Sequence, residues 1–325
     1  MKLVTIFGGS GFIGRYVARR MAREDWRVRV AVRRPERALF VRAYGVVGQV
    51  EPVFCNIRDD DSVRAVMHGA DAAVNCVGTF DAKGKNSFGP VQREGAGRIA
   101  RIAAEEGVAH VVHLSAIGAD PAGESLYARS KGEGEAEVLR HFPHAVILRP
   151  SVVFGPEDNF FNRFAGMARL SPFVPVIGAD TRFQPVYVDD VAQAAVLGAT
   201  GRAAPGFYEL GGPEVRTFRE LMAIMLQVIH RRRAVIGLPF WAGRVLAFGS
   251  GAASTASLGL LQGPVTTDQV RSLKTDNVVG NGTPGFADLG IHPTALSAVL
   301  PSYLWRFRPS GQYDAIKDSA RNLRT

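Results

Sequence analysis

Leu3-Val4-Thr5-Ile6-Phe7-Gly8-Gly9-Ser10-Gly11-Phe12-Ile13-Gly14 decides the fold of this chain. Leu3 to Phe7 is an apolar run that reads as a buried strand. Past the glycines, Phe12, Ile13, Tyr16, Val17 and Met21 recur at helical spacing. A strand that enters a glycine turn and leaves as a helix gathers bare backbone N–H groups and the positive end of the helix dipole at one spot. That spot suits a pyrophosphate. Gly8 permits the tight turn, Gly11 lets phosphates approach the backbone, and Gly14 lets the helix lie close to the sheet. The same glycines could serve an ordinary strand–helix turn. The strand–turn–helix context at the start of the chain favours a dinucleotide loop made by Gly8, Ser10, Gly11, Phe12, Ile13 and Gly14.

The next strand, Arg27 to Val32, indicates which dinucleotide. An acidic residue at its end would hydrogen-bond the adenosine ribose of NAD. Here Arg33-Arg34 follow instead. Two guanidiniums can hold a 2′-phosphate by forked, charge-assisted hydrogen bonds, whereas a carboxylate would repel it. NADPH is therefore the expected cofactor, with a merely solvated basic loop as the plainer alternative.

Strands are expected at 2–7, 27–32, 49–55, 71–77, 110–115 and 145–149, and helices at 12–24, 59–68, 88–106 and 125–140. This alternation predicts an α/β fold, a Rossmann-type doubly wound parallel sheet whose ligand lies at the carboxyl ends of the strands. Gly8–Gly14, Arg33-Arg34, Asn56-Ile57, Cys76-Val77-Gly78, Ser115 and Pro150-Ser151 fall at those ends. Beyond Pro150 the pattern loosens into helices at 160–169, 189–199, 217–230 and 294–307 and short strands at 174–177, 184–187, 207–210 and 233–236. The reading is a dinucleotide domain over 1–150, a smaller α+β lid or partner-contact domain over 151–307 interleaved with the sheet, and a polar tail over 308–325.

Tyr127 and Lys131 lie four apart on a predicted helix and share a face. Ser115 ends the strand before it. An ammonium beside a phenol, together with an oxidised nicotinamide, would lower the phenol's pKa and make it a usable acid or base, with the serine orienting a carbonyl. Chance can also place Tyr-x-x-x-Lys on a helix.

Together with Arg149-Pro150-Ser151, Phe154-Gly155-Pro156 and Val186-Tyr187-Val188-Asp189-Asp190-Val191, these motifs make the chain resemble an extended or atypical short-chain dehydrogenase/reductase. The run Phe154–Ala165, the later Gln184–Val188 and Phe286–Ile291 resemble the dehydrogenase-like accessory subunit of respiratory complex I. That resemblance implies a tightly held NADPH that supports structure and assembly, with other complex I subunits of the peripheral arm near the membrane as partners. It implies a place on the cytoplasmic face of a bacterial inner membrane, or on the matrix side of a mitochondrial one. By matched position the glycine loop, Arg33 or Arg34, Ser115, Tyr127 and Lys131 would contact the nucleotide. The alternative is a working NADP-dependent reductase or sugar-nucleotide epimerase using Tyr127, Lys131 and Ser115, with Arg182, Arg216 and Arg219 available for a nucleotide sugar. A third reading is a redox-sensing regulator.

Composition sets outer bounds. With 325 residues, a large core is within reach. Cys55 and Cys76 are the two cysteines, which supports no disulfide framework and suits a reducing compartment. Because the chain runs straight into a strand, no cleaved targeting peptide is expected. The net charge of +9 is compatible with an anionic lipid surface or acidic protein. No nucleic-acid motif accompanies it, so no nucleic acid is expected. His68, His141, His144, His230 and His292 show no ligand spacing, and no metal is expected. His110 and His113 read as packed strand residues. Asp59-Asp60-Asp61 and Asp189-Asp190 read as helix-opening carboxylates. No uninterrupted apolar span of about 20 residues occurs. Arg231-Arg232-Arg233 with Phe240–Phe248, and Tyr303–Arg308, are candidate interfacial patches or, equally, lid core.

Overall fold

Six strands of the first half, β1 (Leu3–Phe7), β2 (Arg27–Val32), β3 (Val50–Phe54), β4 (Ala72–Asn75), β5 (His110–Leu114) and β6 (Val146–Pro150), join a later strand, Gly206–Leu210, in the computed structural model. They make one seven-stranded sheet, all parallel, in the order β3-β2-β1-β4-β5-β6 followed by Gly206–Leu210. The structure describes residues 1–79, 84, 87–243, 267–309 and 311–313. Chain order reverses between β1 and β4, which is where such sheets bind ligands. The strand expected at 207–210 among the looser elements is thus an edge of the main sheet.

Helices cover both faces, so the strands can be apolar throughout; every residue of β4 is buried. On one face Phe7, Ala31, Ala73, Val111 and Ile147 pack with α2 (Asp60–Met67), α3 (Glu94–Glu105) and α4 (Leu126–His141). Asp59 caps α2, accepting from the Asp61 and Ser62 N–H groups at 3.1 and 3.5 Å, as its position suggested. α3 is preceded by one wide π turn, Gly89–Arg93. α1 (Phe12–Arg23) packs against a later helix, α6 (Val188–Ala199). Asp189 and Asp190 do lie in the first turn of α6. Asp189 also ties the two helices together, its two oxygens accepting from Arg20 of α1 at 2.8 and 2.9 Å.

By its contacts the chain divides into two units. The first is Met1–Ser151 with Val188–Gly211 and Val279–Pro293; the second is Val152–Tyr187 with Gly212–Val278 and Thr294–Thr325. Within the second unit, α5 (Phe161–Leu170), α7 (Phe218–Val228) and Leu296–Leu304 enclose an aromatic core. Phe160 sits at its hub, with ring centroids 5.0 to 6.1 Å from Phe161, Phe164, Phe183 and Phe218. Burial raises the Asp158 pKa, although Tyr303 O–H donates to it at 2.6 Å and the Gly155, Phe160 and Asn162 N–H groups do so as well. The strand expected at 184–187 is two short pieces, Arg182–Phe183 and Val186–Tyr187, each with its own partner strand.

Tyr303 and Leu304 are core residues, Arg306 donates to Asn162 Oδ1 at 2.6 Å, and Arg308 donates to the Val228 carbonyl at 2.9 Å. Tyr303 and Leu304 thus belong to the core, while Trp305 and Arg306 of the same stretch stay exposed. Arg231 and Arg233 likewise hold backbone carbonyls, of Phe307 and Ala168. The rest of the first patch, 244–248, the glycine-rich stretch 249–260, and most of the 308–325 tail lie outside the described residues. Among the described residues no helix is long and apolar enough to cross a membrane, and no cluster of side chains could hold a metal ion.

Candidate functional site

The glycine turn is built by what glycine lacks. Gly8 has φ +73°, a left-handed conformation that a side chain strains. The Gly11 N–H donates to the Gly8 carbonyl at 2.9 Å and closes the turn. A Cβ on Gly14 would run into that carbonyl oxygen and lie 2.7 Å from Gly9 Cα. No side chain caps α1 at Gly11, and no acidic residue lies in its first turn. The positive end of the helix is thus left for an anion. These are the features a dinucleotide pyrophosphate requires, so the residues present fit such a group.

Around the turn, the structure brings several expected residues together. A Cβ on Gly8 would meet Val77 Cγ2 at 3.2 Å and Cys76 carbonyl carbon at 3.3 Å. One step further, a Cβ on Gly78 would lie 3.8 Å from Lys131 Nζ. Lys131 Nζ donates to the carbonyl of Leu114, next to Ser115, at 3.0 Å. The Ile117 N–H, just past Ser115, donates to the Pro150 carbonyl, and Ser151 N–H to that of Leu210. The line from Gly8 through Cys76, Val77, Gly78 and Lys131 to Ser115, Pro150 and Ser151 is contiguous along the carboxyl edge.

Arg33 and Arg34 stand exposed just past β2, and their side chains make no ion pair with any described residue. Asn56 and Ile57 follow β3. The Asn56 N–H is tied to Ser62 Oγ at 2.9 Å, and the Ile57 carbonyl accepts from Arg98 at 3.0 Å. Arg15 had no signal in the pattern. It donates to the carbonyls of Gly11 and Ser10, both at 3.2 Å, and its guanidinium lies 5.0 Å from the Phe40 ring centroid.

The charges at the α4 corner depart from the expectation. Burial pushes the Tyr127 phenol up to about 12, and Lys131 does not offset this. Lys131 is itself pushed down to about 8 by burial, against the attraction of Glu135. Lysine lowers a neighbouring phenol's pKa only if its charge acts on that phenol; here its charge acts on Cys76 and His113 instead. The Tyr127 ring packs edge-on to Phe88, centroids 6.2 Å apart. Burial raises both thiols, Cys55 to about 11 and Cys76 to about 12, so neither is a nucleophile at neutral pH.

Beneath this corner lies a buried polar set that sequence spacing could not reveal. Asn75 and His113 are neighbours across β4 and β5, with Asn75 Nδ2 and His113 Nδ1 3.1 Å apart. Gln92, in the π turn, donates to the Thr79 carbonyl at 2.5 Å and accepts from Ser130 Oγ at 3.0 Å. Arg149 pairs bidentately with buried Glu135, at 2.9 and 2.5 Å, holding β6 to α4. In the second unit, the arginines considered for a nucleotide sugar are engaged. Arg182 pairs with Asp276 at 2.7 Å, Arg216 with Glu214 at 2.9 Å, and Arg219 lies 3.4 Å from the Val235 carbonyl.

Comparison with known proteins agrees with this architecture. Residues 4–211 match the sequence profile of the NAD dependent epimerase/dehydratase family. Subunit 9 of the mitochondrial NADH dehydrogenase [ubiquinone] 1 alpha subcomplex from Arabidopsis thaliana is 33% identical, over 95% of this chain and 79% of its own length. A ceramide reductase from Caulobacter vibrioides is 31% identical, over 73% of this chain and 74% of its own. Among solved structures, the UDP-glucose 4-epimerase of Thermotoga maritima superposes with a TM-score of 0.71 at 16% identity, covering 95% of this chain and 99% of that one.

Proposed function

This chain belongs to the NAD-dependent epimerase/dehydratase family, and on that premise we propose that it is an NADPH-holding accessory subunit of a respiratory NADH:ubiquinone oxidoreductase. The observation that carries this reading is the extent of its likeness to a complex I subunit, which runs through both units of the chain. The likeness to the ceramide reductase spans less of it.

In this reading the Gly8–Gly14 turn and the start of α1 hold the pyrophosphate, and Arg33 and Arg34 hold the 2′-phosphate. Ser115, Tyr127 and Lys131 bind the nicotinamide half. A bound nicotinamide supplies hydride chemistry where a substrate can reach it. The phenol near pKa 12 is a poor proton donor at neutral pH, so Tyr127 serves better as a hydrogen-bonding group than as a catalyst. Partners are the neighbouring subunits of the peripheral arm, on the bacterial cytoplasmic face or its mitochondrial counterpart.

Purification of the tagged chain from its own membranes tests this. The expected result is co-migration with membrane-embedded subunits and release of NADPH, identified by its 2′-phosphate, on denaturation. Recovery as a free homo-oligomer that consumes NADPH when offered a carbonyl would overturn it. It would favour the second reading, a working reductase, which rests on the presence of Ser115, Tyr127 and Lys131 together at one corner.

A further inference from the structure

The buried pair Asn75 and His113 fixes a proton that nothing described accepts. Val77 N–H can only donate, and it does so to Asn75 Oδ1 at 3.1 Å. The other end of the amide, Nδ2, therefore faces His113 and donates to its Nδ1 at 3.1 Å. A neutral ring whose Nδ1 accepts carries its hydrogen on Nε2. His113 is 2% exposed, and burial, helped by Lys131, keeps it neutral. Its Nε2 has no hydrogen-bond partner among the described residues.

Ser115 repeats the anomaly two residues on. It is 6% exposed, and its Oγ has no partner among the described residues either. Ser115 N–H donates to the Leu148 carbonyl at 2.7 Å, so pairing with β6 continues past Leu114. Residues two apart on a strand share a face. His113 and Ser115 thus present a fixed N–H donor and a hydroxyl on the face packed by α4. Lys131 of that helix is anchored between them, at the Leu114 carbonyl. Buried polar groups are rarely left unpaired, and two adjacent ones at a strand's carboxyl end mark a place for a ligand atom.

We propose that His113 is a positioning residue of the nucleotide site: its Nε2–H and the Ser115 hydroxyl together hold an oxygen on the nicotinamide half of NADPH, directly or through one water. The site accepts a hydrogen-bond acceptor oxygen, such as that of a carboxamide or a ribose. It disfavours a cation there, because the only fixed hydrogen is a donor and Lys131 is close by. The inference rests on the NADP(H) reading of the glycine turn.

The test compares NADPH with 2′-phospho-ADP, which keeps the phosphates and lacks both the nicotinamide and its ribose. His113→Leu is expected to weaken NADPH binding about tenfold, the worth of one well-made hydrogen bond. It should leave 2′-phospho-ADP binding unchanged, and His113→Gln, which restores an N–H donor, should recover much of the loss. Nitrogen-15 spectra of the histidine-labelled protein should show the hydrogen on Nε2 of His113. NADPH affinity of His113→Leu within twofold of wild type, equal weakening of both ligands, or a hydrogen on Nδ1 would each overturn the proposal. If the wild-type protein binds neither ligand, it is the NADP(H) reading itself that fails.

Discussion

The glycine turn between β1 and α1 and the corner between β5 and α4 face the same edge of the sheet, yet they are made in opposite ways. The turn works through backbone alone. Gly8 supplies a left-handed φ, Gly14 supplies absent volume, and the helix end supplies the field. The corner works through side chains taken out of water: Tyr127 raised, Lys131 and His113 lowered, Ser115 unpartnered. A backbone cradle is insensitive to pH and intolerant of volume. A buried polar corner is sensitive to pH, because the cost of charging its groups depends on packing around them.

That contrast can be broken by experiment. Gly14→Val should have the largest effect, abolishing NADPH binding and destabilising the fold by about 4 kcal/mol or more, since the new side chain meets backbone that cannot yield. Calorimetric binding and thermal unfolding measure both. A variant that still bound NADPH would show that the turn is not the cradle.

Acid should act on the corner and spare the turn. His113 is held near pKa 3 against 6.5 when unfolded, so the unfolded chain takes up its proton first as pH falls. The stability from neutral His113 is complete above about pH 6.5 and drains away as pH falls toward 3, by up to about 5 kcal/mol. Urea unfolding at stepped pH should show this slope flattened in His113→Gln. An unchanged slope would place the acid sensitivity elsewhere.

Replacing both Arg33 and Arg34 by alanine should weaken NADPH about ten- to a hundredfold and leave NADH nearly unaffected. Parallel titrations decide it, and equal losses for both nucleotides would remove the 2′-phosphate assignment. The smallest effect is expected from Tyr127→Phe: less than about tenfold on NADPH retention, the worth of one hydrogen bond, and no change in electron transfer by the assembled complex. A loss of NADPH-dependent carbonyl reduction on this substitution would instead make the corner catalytic.

Much of the first unit was legible because its signals are local. Each of the six early strands falls within the run expected for it or one residue beyond it, and the four helices appear at their apolar periodicities, the third behind a π turn. The turn itself was legible from its glycines, since Gly8 and Gly14 hold positions that strain or exclude a side chain. Two kinds of feature escaped. The edge strand Gly206–Leu210 joins β6 across a long excursion, and its few residues carry no mark of which sheet they enter. Arg15 over Phe40, and Asn75 beside His113, are contacts between residues distant in sequence.

By itself, then, the order of residues determined the α/β sheet, the glycine turn after β1 and the paired arginines after β2, because strand pairing, backbone strain and charge are properties of neighbouring residues. Only the tertiary structure decided how the corner behaves. It left Tyr127 half-buried with its phenol raised, where the sequence reading had an ammonium and an oxidised nicotinamide lower it, engaged Arg182 and Arg216 elsewhere, and oriented the His113 ring through Asn75. Desolvation and hydrogen-bond partnership are set by whatever packs around a group, and in a doubly wound sheet those neighbours come from strands and helices far apart along the chain.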